Sequence, residues 1–302
     1  MNPVSAPPRR PGTAQAPGGA TFERVAGELD SARRSGALKT LVIPPCPQLL
    51  LDLRAALDAD VPDLNEVARL ASSDVAMAAT LITAANGAGW AHAQPARTVG
   101  QALDRLGLDE TARRMTAFAA RNALRVTHPQ LQGFWDRSAE RARMLHLLAG
   151  ELPGMSGDLA YTFGLFCDVG MPVLMQCVRG YSATLVEAAA RIDRSPLATE
   201  NANHRTDHAV TGALVARLWK LAPEVMVAIR LHHDLASIDE PRLEPELRTL
   251  LAAGLVAEHL IARLAQAAPS RDWTDHGARA MRWLQVGPAE IDHWIARIEE
   301  ST

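Results

Sequence analysis

The chain is 302 residues long with a formal net charge of -3, so it can bury a substantial core but exerts no general pull on nucleic acid or anionic membranes. Aromatic residues make up only 4% of it, and no segment shows the period-two Val/Ile/Thr alternation of a half-buried strand, which predicts an all-α protein. Three cysteines, Cys46, Cys167 and Cys177, have no CxxC spacing and form no even set, which predicts a reduced, cytoplasmic chain.

Residues 1–20 are rich in Pro, Gly, Ala and Ser, cannot offset their ordering entropy, and predict a disordered tail. Residues 21–37 predict a short amphipathic helix through Phe22, Val25, Leu29 and Ala32. The run Leu41-Val42-Ile43-Pro44-Pro45-Cys46-Pro47 forbids helix, because each proline holds its predecessor extended. Helix then follows helix in two expected lobes, 38–130 and 131–265, with no Gly/Ser linker and no internal repeat. Asp63 with Glu66 and Thr98 with Gln101 fit capping boxes, Asp74 can cap the helix ending near Asn86-Gly87, and Gly107 fits a left-handed stop after Leu106. Pro196 and Pro223 fit first helical positions, and Thr206 is placed to cap the helix holding His208 to Trp219. Glu258, His259 and Arg263 break the apolar stretch 250–265. No uninterrupted apolar run nears the roughly 20 residues of a bilayer-spanning helix, so no membrane is expected. Residues 266–302 predict a helical pair parted by Gly287-Pro288 and docked through Trp283, Ile291, Trp294 and Ile298.

Eight short motifs follow one another along the chain. They are Ile43-Pro44-Pro45-Cys46-Pro47; Ser73-Asp74-Val75 running to Ala84-Ala85-Asn86-Gly87; Gln101-Ala102-Leu103-Asp104-Arg105-Leu106-Gly107; and Phe134-Trp135. Then come Gly164-Leu165-Phe166-Cys167-Asp168-Val169-Gly170, Asp207-His208-Ala209-Val210-Thr211-Gly212-Ala213, Trp219 to Pro223, and Ala228-Ile229-Arg230-Leu231-His232-His233. In this order, over roughly 38–300, the chain resembles the HDOD domain, the HD-related output domain of bacterial signalling proteins and a branch of the HD phosphohydrolase superfamily. The resemblance implies a two-lobed all-α domain, here with a C-terminal helical extension.

The departures bear on chemistry. The superfamily's metal set is a histidine, then His-Asp, then a later Asp, with extra histidines in some branches; by the resemblance these positions read Arg137, Cys167-Asp168 and Glu258. A guanidinium has no lone pair to give, and its fixed charge opposes a divalent ion by several kcal/mol in a dry pocket. Cys167 fits a small buried hydrophobe better than a thiolate ligand. His232 and His233 are consecutive on a helix and are expected to point a quarter-turn or more apart, not to serve one centre. The expected site is therefore a vestigial pocket of Arg137, Cys167, Asp168, His208, His232, His233 and Glu258, with no catalytic residue, no metal and no cofactor. In it Arg137 is expected to pair with Asp168, filling the volume of a cation; the alternative turns Arg137 outward and leaves Asp168 bonded at a helix end. His208 is expected to be a hydrogen-bonded core histidine, and His92, His128, His146, His204, His276 and His293 show no ligand-type spacing.

No Walker loop, Gly-x-Ser-x-Gly elbow or Gly-x-Gly-x-x-Gly fingerprint is present, and the basic pairs Arg9-Arg10, Arg33-Arg34 and Arg113-Arg114 are too small for a nucleic-acid footprint. The expected function is non-catalytic bacterial signal transduction through protein–protein contacts. The resemblance implies a response regulator, a kinase or a cyclic-dinucleotide enzyme as partner. Two alternatives stand beside it: a metal-dependent phosphohydrolase with reassigned ligands, and a nucleotide- or anion-sensing module that uses the same pocket, since arginine suits phosphate.

Overall fold

A computed structural model of the protein describes residues 19–34, 38–39, 41–59, 61–87 and 94–300; nearly all of the expected tail, and His92, fall outside them. Among the described residues every regular element is helical. In chain order these are α1 (Ala20–Arg33), α2 (Gln48–Leu57), α3 (Leu64–Ser72), α4 (Val75–Ala85), α5 (Val99–Ala123), α6 (Phe134–Glu151), α7 (Gly157–Phe166) and α8 (Gly170–Cys177). They continue as α9 (Tyr181–Ala190), α10 (Pro196–His204), α11 (His208–Leu218), α12 (Pro223–Leu231), α13 (Pro245–Leu264), α14 (Arg271–Leu284) and α15 (Pro288–Glu300).

Most boundaries follow the expected chemistry. Asp74 accepts from the amides of Ala76 and Met77 at the start of α4, and Thr98 accepts from Gln101 at the start of α5. Gly107, at φ +77°, breaks α5 into two helical pieces. Two details differ from the sequence reading. Asp63 caps α3 without a reciprocal partner, because Glu66 turns instead to Arg69. At α11 the cap is Asp207, accepting from Val210 at 2.8 Å, and not Thr206, so the helix starts one residue later.

Two apolar clusters fill the interior. A smaller one joins Leu53, Val67, Leu70, Met77, Leu81 and Met115 of α2 to α5. The larger is built chiefly on α6, α7, α8, α11, α12 and α13 and also takes in Val25 and Leu29 of α1, Leu50 of α2, Ala119 and Ala120 of α5, and Ile291 and Trp294 of the terminal helix. Ion pairs Arg217–Asp30 and Arg230–Glu28 bind α1 to α11 and α12. The proline-rich strap meets the same region: the indole of Trp219, fully buried, donates to Pro44 O at 2.8 Å. Arg54 donates to the carbonyls of Trp219 and Lys220, so one guanidinium ties α2 to the exposed end of α11. The stretch 157–177 is apolar and long enough to pass as a membrane span by composition, but it turns at Cys167-Asp168-Val169 and much of it is buried in the core.

Two close backbone approaches place the site. A Cβ on Gly164 would stand 2.7 Å from Ala142 Cα, so α6 and α7 cross there at near backbone contact. A Cβ on Gly170 would stand 2.0 Å from the carbonyl oxygen of His208, so the start of α8 lies directly on the start of α11. Any larger residue would force the helices apart. Between these two contacts sits the Cys167-Asp168 turn.

Candidate functional site

The arginine that meets Asp168 is Arg141, not Arg137. Both lie on α6 one helical turn apart and so on the same side of it, but Arg141 is buried beside Ser138, Ala142 and Leu145, whereas Arg137, in the first turn, is exposed. The crossing at Ala142 and Gly164 then delivers Arg141 to the Cys167-Asp168 turn. Arg137 is exposed and donates to Gln132 O at 3.0 Å. This corrects both the expected pairing and the membership of Arg137 in the pocket.

Arg141 is fully engaged. Its Nε donates to Gly164 O at 3.0 Å, one terminal nitrogen lies 2.7 Å from Asp168 Oδ2, and the other lies 2.7 Å from Glu258 Oε1 on α13. The Arg141 and Asp168 side chains are only 10% and 20% exposed, so the pair is screened weakly, whereas Glu258 is 46% exposed and sits at the rim. Burial alone would raise the Asp168 carboxyl; Arg141, then His232 and His208, outweigh it and hold the group well below the usual carboxylate range. Cys167 is buried and free, and burial pushes its thiol well above the usual range, so it stays protonated and does not act as a thiolate ligand.

The other oxygen of Asp168 faces histidines. Oδ1 lies 3.6 Å from His208 Nε2 and 3.4 Å from His232 Nε2, and neither buried nitrogen has a hydrogen-bond partner among the described residues. Donor atoms of Asp168, His208, His232 and His233 all lie within 4.8 Å of one another. The expectation that His232 and His233 could not share a centre therefore fails. α12 ends at Leu231, and the two histidines form the following turn, from which both rings reach the pocket. Their ring centroids are 4.1 Å apart.

Each imidazole is oriented from behind. Nδ1 of His208 meets both oxygens of Glu200 at 2.9 and 3.0 Å, Nδ1 of His232 meets Ile229 O at 2.7 Å, and Nδ1 of His233 meets Asp272 at 2.7 Å. All three partners are acceptors, so Nδ1 carries the proton and the neutral ring keeps its lone pair on Nε2. For His232, burial and the neighbouring His233 lower the pKa to about 4, which leaves it neutral at physiological pH. For His208, burial opposes protonation but Glu200 and Asp168 prevail and raise the pKa, so a proton and a cation would compete for one lone pair. Glu200 is fully buried, also accepts from Tyr181 and from the His208 amide, and was not singled out from the sequence. Neither was Asp272, which lies on α14.

The resulting cavity, about 320 Å³, has apolar walls from Phe163, Met171, Leu251 and Leu255. Four carboxylates in or behind it, Asp168, Glu200, Glu258 and Asp272, stand against one guanidinium, each nitrogen of which already has a partner. The site favours a cation and has no free arginine for a phosphate. Its donor set fits a transition metal: nitrogen and oxygen ligands, unpartnered buried lone pairs, and a carboxylate or carbonyl behind each ring.

A family model described as the HDOD domain matches residues 43–235. A Treponema pallidum (strain Nichols) protein, described only as uncharacterized, is 25% identical over 220 residues, which is 72% of this chain and 42% of that protein. The chain thus spans less than half the length of that relative. Among solved structures, a Marinobacter aquaeolei VT8 protein named for signal transduction superposes with TM-score 0.69 at 22% identity, over 93% of this chain and 64% of that one. An HDOD domain protein with unknown function from Geobacter sulfurreducens gives TM-score 0.69 at 19% identity, over 92% and 97% of the two chains. A Shewanella amazonensis SB2B protein named as a phosphohydrolase gives 0.64 at 19%, over 93% and 95%. At these identities the structural likeness is one of fold.

Proposed function

This chain belongs to the HDOD family, and on that footing we propose that it is a non-catalytic signalling module that acts through contacts with another protein. One observation carries the reading: Arg141 holds both acidic members of the expected hydrolase set, Asp168 and Glu258, at 2.7 Å each. Metal-assisted phosphate ester hydrolysis needs carboxylates free to hold the ion that activates water. Here a fixed cation without a lone pair takes one oxygen of Asp168 and the carboxylate of Glu258, and a protonated thiol stands where the preceding histidine is expected. The partner class, a response regulator, kinase or cyclic-dinucleotide enzyme, rests on the family alone.

The test has two arms. Purified protein supplied with manganese, iron or zinc is assayed on phosphate mono- and diesters; turnover that Asp168→Asn abolishes would overturn the reading. Affinity capture of the full chain from its native cell under several growth conditions is expected to retain a specific partner, and repeated failure to find one counts against protein contacts as the output.

The unpartnered Nε2 atoms of His208 and His232 support a second element of the reading. Asp168, His208, His232 and His233 would hold a single transition-metal ion, apart from the space occupied by Arg141. When bound, such an ion supplies fixed positive charge and Lewis acidity. The residues themselves orient it through Glu200, Ile229 O and Asp272, and Arg141 keeps the far oxygen of Asp168 occupied. Elemental analysis of the purified chain is expected to find up to one equivalent of iron, manganese or zinc, lost in the paired His208→Ala/His232→Ala variant. Two equivalents would favour the hydrolase alternative.

A further inference from the structure

We propose that a second cavity, the cleft between the two lobes, binds a nucleotide. The cleft measures about 490 Å³, within the size range of small-molecule sites. One wall comes from α4 and α5 through Thr80 and the face Glu110 to Asn122; the other comes from α6 and α7 through Trp135, Arg143 and Tyr161. It lies along the seam between the two apolar clusters, on the opposite side of α6 and α7 from the histidine pocket.

The lining is cationic. Arg113, Arg114, Arg121 and Arg143 face it against the carboxylates of Glu110 and Asp136. Glu110 is shared, lying 3.2 Å from Arg113 Nε and 2.6 Å from Arg114 Nε, so it cannot neutralise both. Arg113 also reaches the exposed Asp158 at 3.4 Å, outside the lining, and Arg121 meets Asp136 loosely at 3.6 Å. Arg143 has no carboxylate partner among the described residues. The charges converge on one point: burial and Glu110 raise the Tyr161 phenol, while Arg114, Arg143 and Arg113 all pull it the other way. A converging set of guanidinium forks with more charge than its carboxylates can balance suits phosphate oxygens.

The same cleft offers ring surfaces. Half-buried Phe118 supplies the accessible ring, Trp135 and Tyr161 border the cleft by their edges from the core, and the Arg113 guanidinium sits 6.0 Å over the Tyr161 ring. Aromatic faces and stacked arginine suit a planar base. Phosphate and base recognition side by side select a nucleotide over inorganic phosphate. The histidine pocket suits this purpose poorly, because it is lined by the carboxylates of Asp168, Glu258 and Asp272 and its arginine already pairs with two of them. The nucleotide-sensing alternative thus moves to a different cavity, and it does not depend on whether the histidine pocket holds a metal.

The test is isothermal titration of the full chain, chelator-treated, with ATP, GTP, AMP, adenosine and pyrophosphate. ATP or GTP is expected to bind one to one, more weakly as salt rises, and at least tenfold more tightly than adenosine or pyrophosphate. Arg143→Glu, at an exposed position, is expected to fold normally by circular dichroism and to weaken binding at least tenfold, with Arg143→Lys in between. The proposal is overturned if no nucleotide binds at millimolar concentration, or if pyrophosphate binds as well as ATP. It is equally overturned if Arg143→Glu binds like wild type, if His232→Ala abolishes binding while Arg143→Glu does not, or if only long polyanions such as heparin bind.

Discussion

Replacing Arg141 with alanine should be among the most damaging single changes in this chain, and its size can be worked from the contacts. The side chain makes three polar contacts, to Gly164 O, Asp168 and Glu258. Removing one partner of a buried ion pair costs about 3–5 kcal/mol, chiefly because the other charge stays behind in a poorly solvated place. Asp168 is that charge, and at 20% exposure it recovers little hydration. Gly164 O loses its side-chain donor, which adds about 1 kcal/mol, while Glu258 is half in solvent and adds little. Arg137→Ala is the internal control: an exposed side chain bonded to one carbonyl should cost within about 0.5 kcal/mol. The assay is urea unfolding of chelator-treated protein, with Asp168→Ala and the double variant closing the cycle. A loss for Arg141→Ala below about 1 kcal/mol, or equal to that of Arg137→Ala, would refute the claim that Arg141 neutralises Asp168 in the core.

Gly170→Ala, whose Cβ would stand 2.0 Å from the His208 carbonyl, is expected to cost about 1–3 kcal/mol in a thermal or urea melt and to loosen the histidine site with it. Glu200→Gln removes the charged acceptor behind His208 and should weaken cobalt or zinc binding about ten- to a hundredfold in a competition titration. The Asp168 carboxyl is depressed in the fold, so the native state binds fewer protons than the unfolded chain just below the unfolded value of about 3.9. The stability it contributes is complete above that pH and is lost as pH falls through the folded value, so the wild-type advantage over Arg141→Ala in urea melts should shrink on acidification. If the cleft and the histidine site communicate, a bound metal must change nucleotide affinity, and nucleotide must change metal affinity by that same factor; a nucleotide affinity that metal leaves unchanged in paired titrations would refute the coupling.

Much of the architecture was legible because its signals are local. The caps at Asp74 and Thr98, the prolines opening α10 and α12 and the left-handed Gly107 are each decided within a few residues, and the structure keeps them. The Cys167-Asp168, Asp207-His208 and His232-His233 motifs likewise marked the pocket, and Glu258 does reach its rim. Arg137 was the wrong choice between two arginines a turn apart. The two share a face of α6, so the helical period alone does not separate them; what buries Arg141 is the crossing of α6 by α7 at Ala142 and Gly164, which carries no local sign. The two consecutive histidines were misjudged because the end of α12 had to be known to the residue before their directions could be argued. Glu200 and Asp272 carry no local sign at all. They act across helices, and only the packing of α10 and α14 against the pocket brings them behind His208 and His233.

Stability alone does not account for this interior. A buried ion pair exchanged for apolar side chains of similar volume is often neutral or stabilising, so a fold that needed only a core would lose nothing by dispensing with Arg141, Asp168 and the three histidines. What the polar arrangement does provide is a charge relation across two helices. α6 presents Arg141 to the acidic pocket and Arg143, two residues on, to the cationic cleft; α7 presents Phe163 to the pocket, and Tyr161 and Leu165 to the cleft. Because α6 and α7 touch backbone to backbone at Ala142 and Gly164, neither can tilt without the other. A ligand that draws Arg143 and Tyr161 together in the cleft would act on the same rigid pair that holds Arg141 against Asp168. On the proposed reading of a module that acts through protein contacts, a change in the tilt of this pair is the motion by which occupancy of either site would reach a partner.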